Sequence, residues 1–521
     1  MDIMSQPSIR LETLLERVEP LSVVGSVGQK ISGLAYDSRQ VEPGSVFFAL
    51  PGVEADGFDY LPQALANGAV AVVAERLPEG CLEGVSYVRV TNVRQTMAKM
   101  AARFYGDPAT DIPVIGVTGT NGKTTITYLL EAIFKQAGLL PAVFGTVEYR
   151  CGETRHEAAR TTPESIDLLK MMAEFRQQGA DILILEVSSH ALEQYRVDGI
   201  NFTAAVFTNL TQDHLDYHGT LECYFASKKR LFTELLGNGV GIVNCEDRYG
   251  DRLLQENRNW VSFGLDRRAD VYPSQVTVDR DQISGVFTGD KGDVVIQSGM
   301  IGDFNLSNLL AAVATAQQLG VSNTIITAGI AAAPQVPGRV EKVVNRRGVL
   351  ALVDYSHTPD ALEQVLKTLT KIEFRRVLTV VGCGGDRDKG KRPLMASAAV
   401  KYSHLSIFTS DNPRTEDPAQ ILEQIRAGAL AAGSLELHLD QALAEMDGFI
   451  VIADRRAAIE LAGSLVRAGD LLLVAGKGHE DYQIFGAEKI HFDDREELDR
   501  VLNGVASLNG DGCSVGVKQD V

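Results

Sequence analysis

What the sequence lacks narrows its class. Six cysteines are scattered along it (Cys81, Cys151, Cys223, Cys245, Cys383, Cys513) with no C-x-x-C pair. That absence argues against a zinc site and for reduced thiols. No run approaches the roughly 18 uninterrupted apolar residues that a membrane span needs. Positive charge is in short supply: 50 Lys and Arg face 68 Asp and Glu, a net charge of −18. A chain this acidic is a poor general binder of nucleic acid or anionic membrane, although local basic pockets can hold small anions. The opening MDIMSQPSIRLETLLERVEP has no basic region followed by an apolar one. It does not read as a signal peptide, so a cytoplasmic protein is expected. No repeat of fixed period is present.

The 521 residues suggest about three domains. Residues 1–110 mix short apolar runs such as Ser45–Leu50 and Ala69–Val73 with turns, a small α/β unit. Asp107-Pro108-Ala109-Thr110-Asp111 reads as a linker. From 111 to 337, apolar runs at Ile112–Thr118, Ile182–Leu185, Ala204–Phe207 and Val240–Val243 alternate with helical segments. That alternation predicts a doubly wound, mostly parallel sheet with helices on both faces. A second break falls at Pro334–Arg339. The alternation restarts across 338–505 with Val349–Val353, Val377–Val381, Leu405–Phe408 and Leu471–Ala475, a third, Rossmann-like α/β domain. Residues 506–521 read as a loose tail.

The first motif with chemistry is Gly116-Val117-Thr118-Gly119-Thr120-Asn121-Gly122-Lys123-Thr124-Thr125, which leaves a strand and opens a helix. Backbone N–H groups of such a loop cradle phosphate oxygens, helped by the helix N-terminus. Lys123 reaches the β/γ-phosphates and the Thr124 hydroxyl suits Mg²⁺. The general G-x-x-x-x-G-K-[ST] pattern places Gly where this chain has Val117, so the loop is a variant. It indicates a nucleoside triphosphate without naming the reaction. Glu186 ends the buried run Ile182–Leu185, at the strand end that faces nucleotide in such sheets, and offers Mg²⁺ a hard oxygen.

Gly119–Thr125 resembles the ATP loop of the Mur ligase family, whose superfamily includes the folylpolyglutamate synthetases. The likeness runs from about Leu34 to Asp494 in three domains, and is nearest the members that extend UDP-N-acetylmuramoyl-L-alanyl-D-glutamate. It implies an N-terminal domain that binds the uridine end of a nucleotide sugar, a central ATP-binding domain and a C-terminal domain that binds an amino acid. ATP and Mg²⁺ are the implied cofactors. Within Thr208–His218, His214 matches the family's metal-ligating histidine, while Asp216 and His218 support the metal or are structural. Lys228 reads by itself as a solvated surface lysine. The resemblance makes it a carbamylated ligand of a second Mg²⁺, with Lys229 the less fitting neighbour. Asn305 and Asn308 would lie near the adenine, and Arg339 and Asp354 would approach ATP from the third domain. Thus Lys123, Glu186, His214 and Lys228 form the implied catalytic set, Thr124, Glu186, His214 and Lys228 the metal set.

The resemblance also assigns the substrates. Ser38, in Ala35–Arg39, matches the uridine segment, with Val53-Glu54-Ala55 a weaker match. Thr161, Thr162, Ser188, Gln194 and Arg196 would hold the muramoyl-peptide. The charged loop Gly384–Arg392 suggests anion capture, with Arg387 as its donor. Asp411-Asn412-Pro413-Arg414 resembles the signature of members that select meso-diaminopimelate over L-lysine. Arg414 can pair with the extra carboxylate through two parallel N–H···O bonds. Gly476 and Glu480 would complete this pocket, Glu480 facing an ammonium group. The expected partners are therefore two small molecules, with no nucleic acid and no membrane, acting on a monomer. The alternatives are the same ligase using L-lysine, a folylpolyglutamate-type ligase, and an ATP-binding scaffold with a degenerate site. Asp411–Arg414 and the long first domain argue against the first two, and the intact phosphate loop with Glu186, His214 and Lys228 against the third.

Overall fold

The computed structural model describes residues 8–52 and 55–504. The Val53–Glu54 part of the weaker uridine match, Cys513 and the expected tail lie outside the described residues. The chain divides into two compact units, residues 1–336 and residues from 337 onward. No described helix is long and apolar enough to cross a membrane.

The first unit contains two main sheets, beside a two-stranded pair of Ile9–Arg10 and Lys30–Ile31. The smaller has the strand order Ser22–Val24, Ser86–Arg89, Ala71–Ala74, Ser45–Phe48, Gly33–Ala35, parallel except for its first strand. Its apolar residues Val46, Val73 and Val88 share one core with the helices Val93–Phe104 and Ser165–Gln177. The segment Asp107–Asp111 is not a free linker. Pro108 and Ala109 are buried, and Asp107 holds both Arg17 and Arg103.

The larger sheet has eleven strands. Its centre is parallel: Pro141–Phe144, Ile182–Glu186, Val114–Thr118, Ala204–Phe207, Val240–Asn244 and Val261–Phe263. These strands are buried on both faces, which is why they read as continuous apolar runs. Gly116 has no side chain because Phe202 and Leu231 press against its Cα. One face is covered by the helices Lys123–Gln136 and Asp303–Gln318, and the other by Ser165–Gln177 and Leu221–Arg230. The sheet departs from the expected parallel pattern at both edges. Glu148–Cys151 and Thr154–Glu157 form a hairpin at one edge. Val271–Val278, Ile283–Gly289 and Val294–Ser298 form an antiparallel meander at the other.

The second unit is a six-stranded sheet in the order Glu341–Lys342, Leu350–Asp354, Leu471–Ala475, Val377–Cys383, Leu405–Ser410, Gly448–Val451. Only the two-residue edge strand is antiparallel. In both units the parallel strands end together, so residues far apart in sequence meet at one rim. Register places Glu186 beside Val117, and Phe207 beside Thr118.

Candidate active site

The first unit's rim is built around the phosphate loop. Gly122 has φ 92°, and a β-carbon there would fall against the Asn308 side-chain oxygen, so the loop requires glycine at this point. Asn308 is in turn held by Asn305, to which its Nδ2 donates at 3.0 Å. Both asparagines are buried, in the first turns of the helix Asp303–Gln318. On the loop's other side, Thr120 N donates to Asn209 O at 2.9 Å, and Asn121 N to Asn209 Oδ1 at 2.9 Å. Lys123 Nζ folds back onto the carbonyls of Gly119 (2.9 Å) and Thr120 (2.8 Å). Thr125 is buried one residue beyond Thr124.

Glu186 is 1% exposed and collects three donors: Thr124 Oγ1 (3.1 Å), Thr146 N (3.0 Å) and Thr146 Oγ1 (2.9 Å). A carboxylate and a hydroxyl thus share one spot at the head of the phosphate loop. Such a pair of hard oxygens fits Mg²⁺, whose remaining ligands in nucleotide sites are phosphates and water. Among the described residues no group of three or more His, Cys, Asp or Glu side chains is arranged to hold a metal unaided.

Lys228 is not the solvated surface lysine its sequence context suggests. It is 1% exposed, its Nζ donating to Gly119 O at 2.9 Å and lying 4.6 Å from the Tyr224 ring centroid. Burial, and then the nearby Lys123 charge, push its pKa well below the ordinary lysine range, against Asp213. Tyr224 links this lysine to the loop through its hydroxyl, 3.2 Å from Thr120 Oγ1. His214 has φ 52° and a ring stacked edge-on to His190 at 4.8 Å. Burial lowers its pKa; Asp213 opposes this, and Lys123 and Lys228 add to it. His218 bonds Ser189 Oγ at 2.9 Å, and Asp216 is exposed.

Thr161, Thr162, Ser188, Gln194 and Arg196 are brought together beside Glu186. Thr161 Oγ1 lies 3.2 Å from Thr146 Oγ1. Thr162 Oγ1 donates to Glu186 O at 2.8 Å and accepts from Ser188 N at 3.1 Å. Buried Arg196 bonds Thr162 O, Gln194 Oε1 and Glu164 Oε1 at 3.0, 2.7 and 3.0 Å. Ser38 stands apart from this group. It is buried in the smaller sheet's rim and donates to Gln63 Oε1 at 2.7 Å. A cavity of about 740 Å³ in the same unit is bordered by Tyr36, Tyr105, Asp167 and Lys170, and Ser38 does not line it.

The second unit has its own cluster. Asn412 is its centre: Nδ2 donates to Glu480 Oε2 (3.0 Å), Oδ1 accepts from Lys477 Nζ (3.3 Å), and its carbonyl accepts from Arg414 (3.5 Å). Lys477, fully buried, also meets Asp411 at 3.3 Å. Burial raises the Glu480 pKa, and Asp411 adds to it. Burial also acts to raise Asp411, but Lys477 and Arg455 outweigh it and the net shift is downward. Arg414 donates to Gly385 O at 2.8 Å. Pro413 leads into it, and Gly476 N bonds Asp354 O at 3.0 Å. Asp354 is buried, accepts from Val340 N at 2.8 Å and from Ser356, and is raised in pKa by burial. Arg339 lies over the Tyr355 ring, 4.7 Å from its centroid. Arg387 is exposed, donates to Asp386 O at 3.0 Å, and among the described residues has no bond to the cluster. Thr146, Asn209 and Lys477 were not singled out from sequence. Asn209 lies within Thr208–His218 and Lys477 between Gly476 and Glu480, whereas Thr146 carried no signal.

Residues 30–105 match the Mur ligase family catalytic domain, 117–316 the Mur ligase middle domain, and 338–478 the Mur ligase glutamate ligase domain. A Geobacter sulfurreducens protein named UDP-N-acetylmuramoyl-L-alanyl-D-glutamate--2,6-diaminopimelate ligase is 49% identical, over 94% of this chain and 98% of its own length. The chain belongs to the Mur ligase family. A Geobacillus thermodenitrificans member with the same name is 41% identical over 94% of this chain and 98% of its own. A solved structure of a ligase of that name superposes with a TM-score of 0.68 at 34% identity, covering 95% of this chain and 99% of its own. The Mur ligase fold of three α/β domains therefore accounts for both units. It is shared more distantly by the Thermotoga maritima MurF ligase solved with ADP, at 19% identity, TM-score 0.58, and 90% and 96% coverage.

Proposed function

We propose that the chain is an ATP-dependent ligase that joins meso-diaminopimelate to UDP-N-acetylmuramoyl-L-alanyl-D-glutamate, acting in the cytoplasm in peptidoglycan precursor synthesis. The observation that carries the substrate choice is Asn412, flanked by a guanidinium on its carbonyl and a partly buried carboxylate on its amide. Arg414 suits a carboxylate and Glu480 an ammonium, so together they fit an amino-acid centre at the far end of the incoming molecule. L-Lysine has the ammonium there without the carboxylate and would leave the guanidinium unpaired. The relatives above are named as 2,6-diaminopimelate ligases.

In this reading residues 1–110 bind the uridine end, 111–337 bind ATP, and 338–505 bind the amino acid. The phosphate-loop N–H groups and Lys123 hold the triphosphate. Thr162, Ser188 and Arg196 orient the acceptor peptide. Its carboxylate takes the γ-phosphoryl group, releasing ADP and leaving an acyl phosphate. The amine attacks that carbonyl, phosphate departs and a proton is released. Thr124 and Glu186 would hold Mg²⁺, which, when bound, offsets the charge that builds up on the phosphoryl oxygens. Lys228 is buried and its pKa is lowered, which favours the uncharged amine that can add CO₂. The resulting carbamate would be an anionic oxygen ligand beside Gly119, with His214 nearby. The tests are phosphate release with ATP, Mg²⁺ and the nucleotide-sugar peptide, comparing meso-diaminopimelate with L-lysine. Release with diaminopimelate alone is expected, and equal release with lysine would overturn the substrate assignment.

A further inference from the structure

Two loops meet around Arg414 in the second unit. Gly384–Arg387 follows the strand Val377–Cys383, and Asp411–Asp417 follows Leu405–Ser410. Reciprocal bonds lock them together. The Asp386 carboxylate accepts from Thr415 N (3.1 Å) and Thr415 Oγ1 (2.8 Å). The Glu416 carboxylate accepts from Asp386 N at 2.6 Å, and Gly385 N donates to Asn412 O at 2.9 Å. Behind both loops lies Arg392, 0% exposed, on the helix Lys391–Tyr402. It donates to the two Glu416 oxygens at 3.1 and 2.8 Å, to Gln424 at 2.9 Å and to Gly384 O at 3.3 Å.

Arg414 sits inside this clamp. Its φ of 53° and the φ of 52° at Asp386 put two non-glycine residues in the left-handed region within one small assembly. Such angles persist where the surroundings over-determine them. A long guanidinium beside two carboxylates would ordinarily pair with one of them. Here the carboxylates are engaged by other donors: Asp386 by Thr415, and Glu416 by Arg392, Lys389 and a backbone N–H. Arg414 instead spends NH1 on Gly385 O. Among the described residues no partner is bonded to its Nε or NH2, and a guanidinium anchored through NH1 can offer these to a ligand.

We propose that Asp386, Glu416 and Arg392 are positioning residues that set selectivity for the far carboxylate of the incoming amino acid, by holding the two loops together so that the Arg414 guanidinium lies against Gly385. None of the three needs to touch the substrate; they act through Arg414. The inference rests on the ligase reading above.

Glu416→Gln and Asp386→Asn, each in the full chain, test it at saturating ATP and nucleotide-sugar peptide. Each variant should raise the KM for meso-diaminopimelate about tenfold or more, since a small misplacement of a binding group has effects of that order. The kcat at saturation should stay within about twofold, the KM for ATP should not move, and the diaminopimelate-to-lysine ratio of kcat/KM should fall with the KM. The double variant should be no worse than the worse single one, because the carboxylates act as one unit. A diaminopimelate KM within about twofold of the parent in both variants would overturn the proposal. So would equal losses for both amino acids, or a loss confined to kcat, either of which marks general loosening. Asp386 is exposed in a loop, so its variant keeps the test alive if Glu416→Gln fails to fold. A parent chain inactive with either amino acid would remove the ligase reading, whereas an active parent with unmoved selectivity in the variants would remove this inference alone.

Discussion

Asp494→Asn is the perturbation whose size can be worked out most directly. Arg455 and Asp494 are both fully buried and joined by two parallel bonds of 2.7 Å. The guanidinium also donates to Ala475 O at 3.0 Å and Ser410 O at 3.5 Å. It thereby ties the ends of two strands immediately before Gly476 and Asp411 in the amino-acid cluster. Each residue is the first of its helix, Arg455–Leu465 and Asp494–Asn503. An arginine at a helix N-terminus opposes the helix dipole, and Asp494 offsets that. Replacing Asp494 by Asn keeps the shape and removes the compensating charge, leaving a cation buried against a neutral amide. Breaking a buried pair by removing one partner costs about 3–5 kcal/mol. Asn retains one acceptor, which places the expected loss near 3 kcal/mol.

With a urea dependence of about 2 kcal/mol per molar, that loss lowers the midpoint for the second unit by about 1.5 M. Circular dichroism during urea titration would read it. The control is Arg455→Met with Asp494→Leu. It removes both charges and should recover most of the loss, since apolar replacement of a whole buried pair is often neutral or better. A midpoint shift below about 0.5 M for Asp494→Asn would refute the argument, because it would mean the guanidinium finds water or another partner. A double variant as unstable as the single one would refute it differently, by making packing rather than charge the cause.

Three further outcomes are expected. Lys228→Ala should nearly abolish phosphate release, and short carboxylates added to the assay should restore part of it; full activity would discard the carbamate. Arg414→Ala should lower kcat/KM for diaminopimelate about a hundredfold, two bonds to charge at about 1.5 kcal/mol each, with the KM for ATP unmoved; an unchanged value would take Arg414 out of the pocket. His479 is held neutral by burial and then by Arg339 and Arg495, its pKa pushed from 6.5 down to about 3. The unfolded imidazole binds a proton below pH 6.5 while the folded one does not until about pH 3, so stability falls across that window by roughly 1.4 kcal/mol per pH unit. His479→Gln should flatten the urea midpoint between pH 6 and 4, and an undiminished slope in that variant would show that another group titrates.

The parts of the structure legible from sequence are those coded locally. Ile112–Thr118, followed by spaced glycines and Lys123, specifies strand, loop and helix within a dozen residues, and the structure has them in that order. Glu186 was legible for the same reason, as a carboxylate ending an apolar run. The meander Val271–Ser298 was not read. Its strands have one solvated face, as in the alternating burial of Val294–Ser298, and so lack the continuous apolar runs that marked the others.

Charges behave differently. Lys228 and Arg455 sit in locally unremarkable helices, and nothing near them in sequence says that they are buried. The carbonyl that receives Lys228 is 109 positions away and the carboxylate that receives Arg455 is 39 away. A buried cation is decided by its partner, and the partner is chosen by the sheet: parallel strands bring their carboxyl ends to one rim whatever lies between them. The same topology that makes the strands easy to find therefore hides which charged side chains meet at their ends. Here a resemblance was needed to pick out Lys228, and only the folded structure could pick out the Arg392–Glu416 and Arg455–Asp494 pairs.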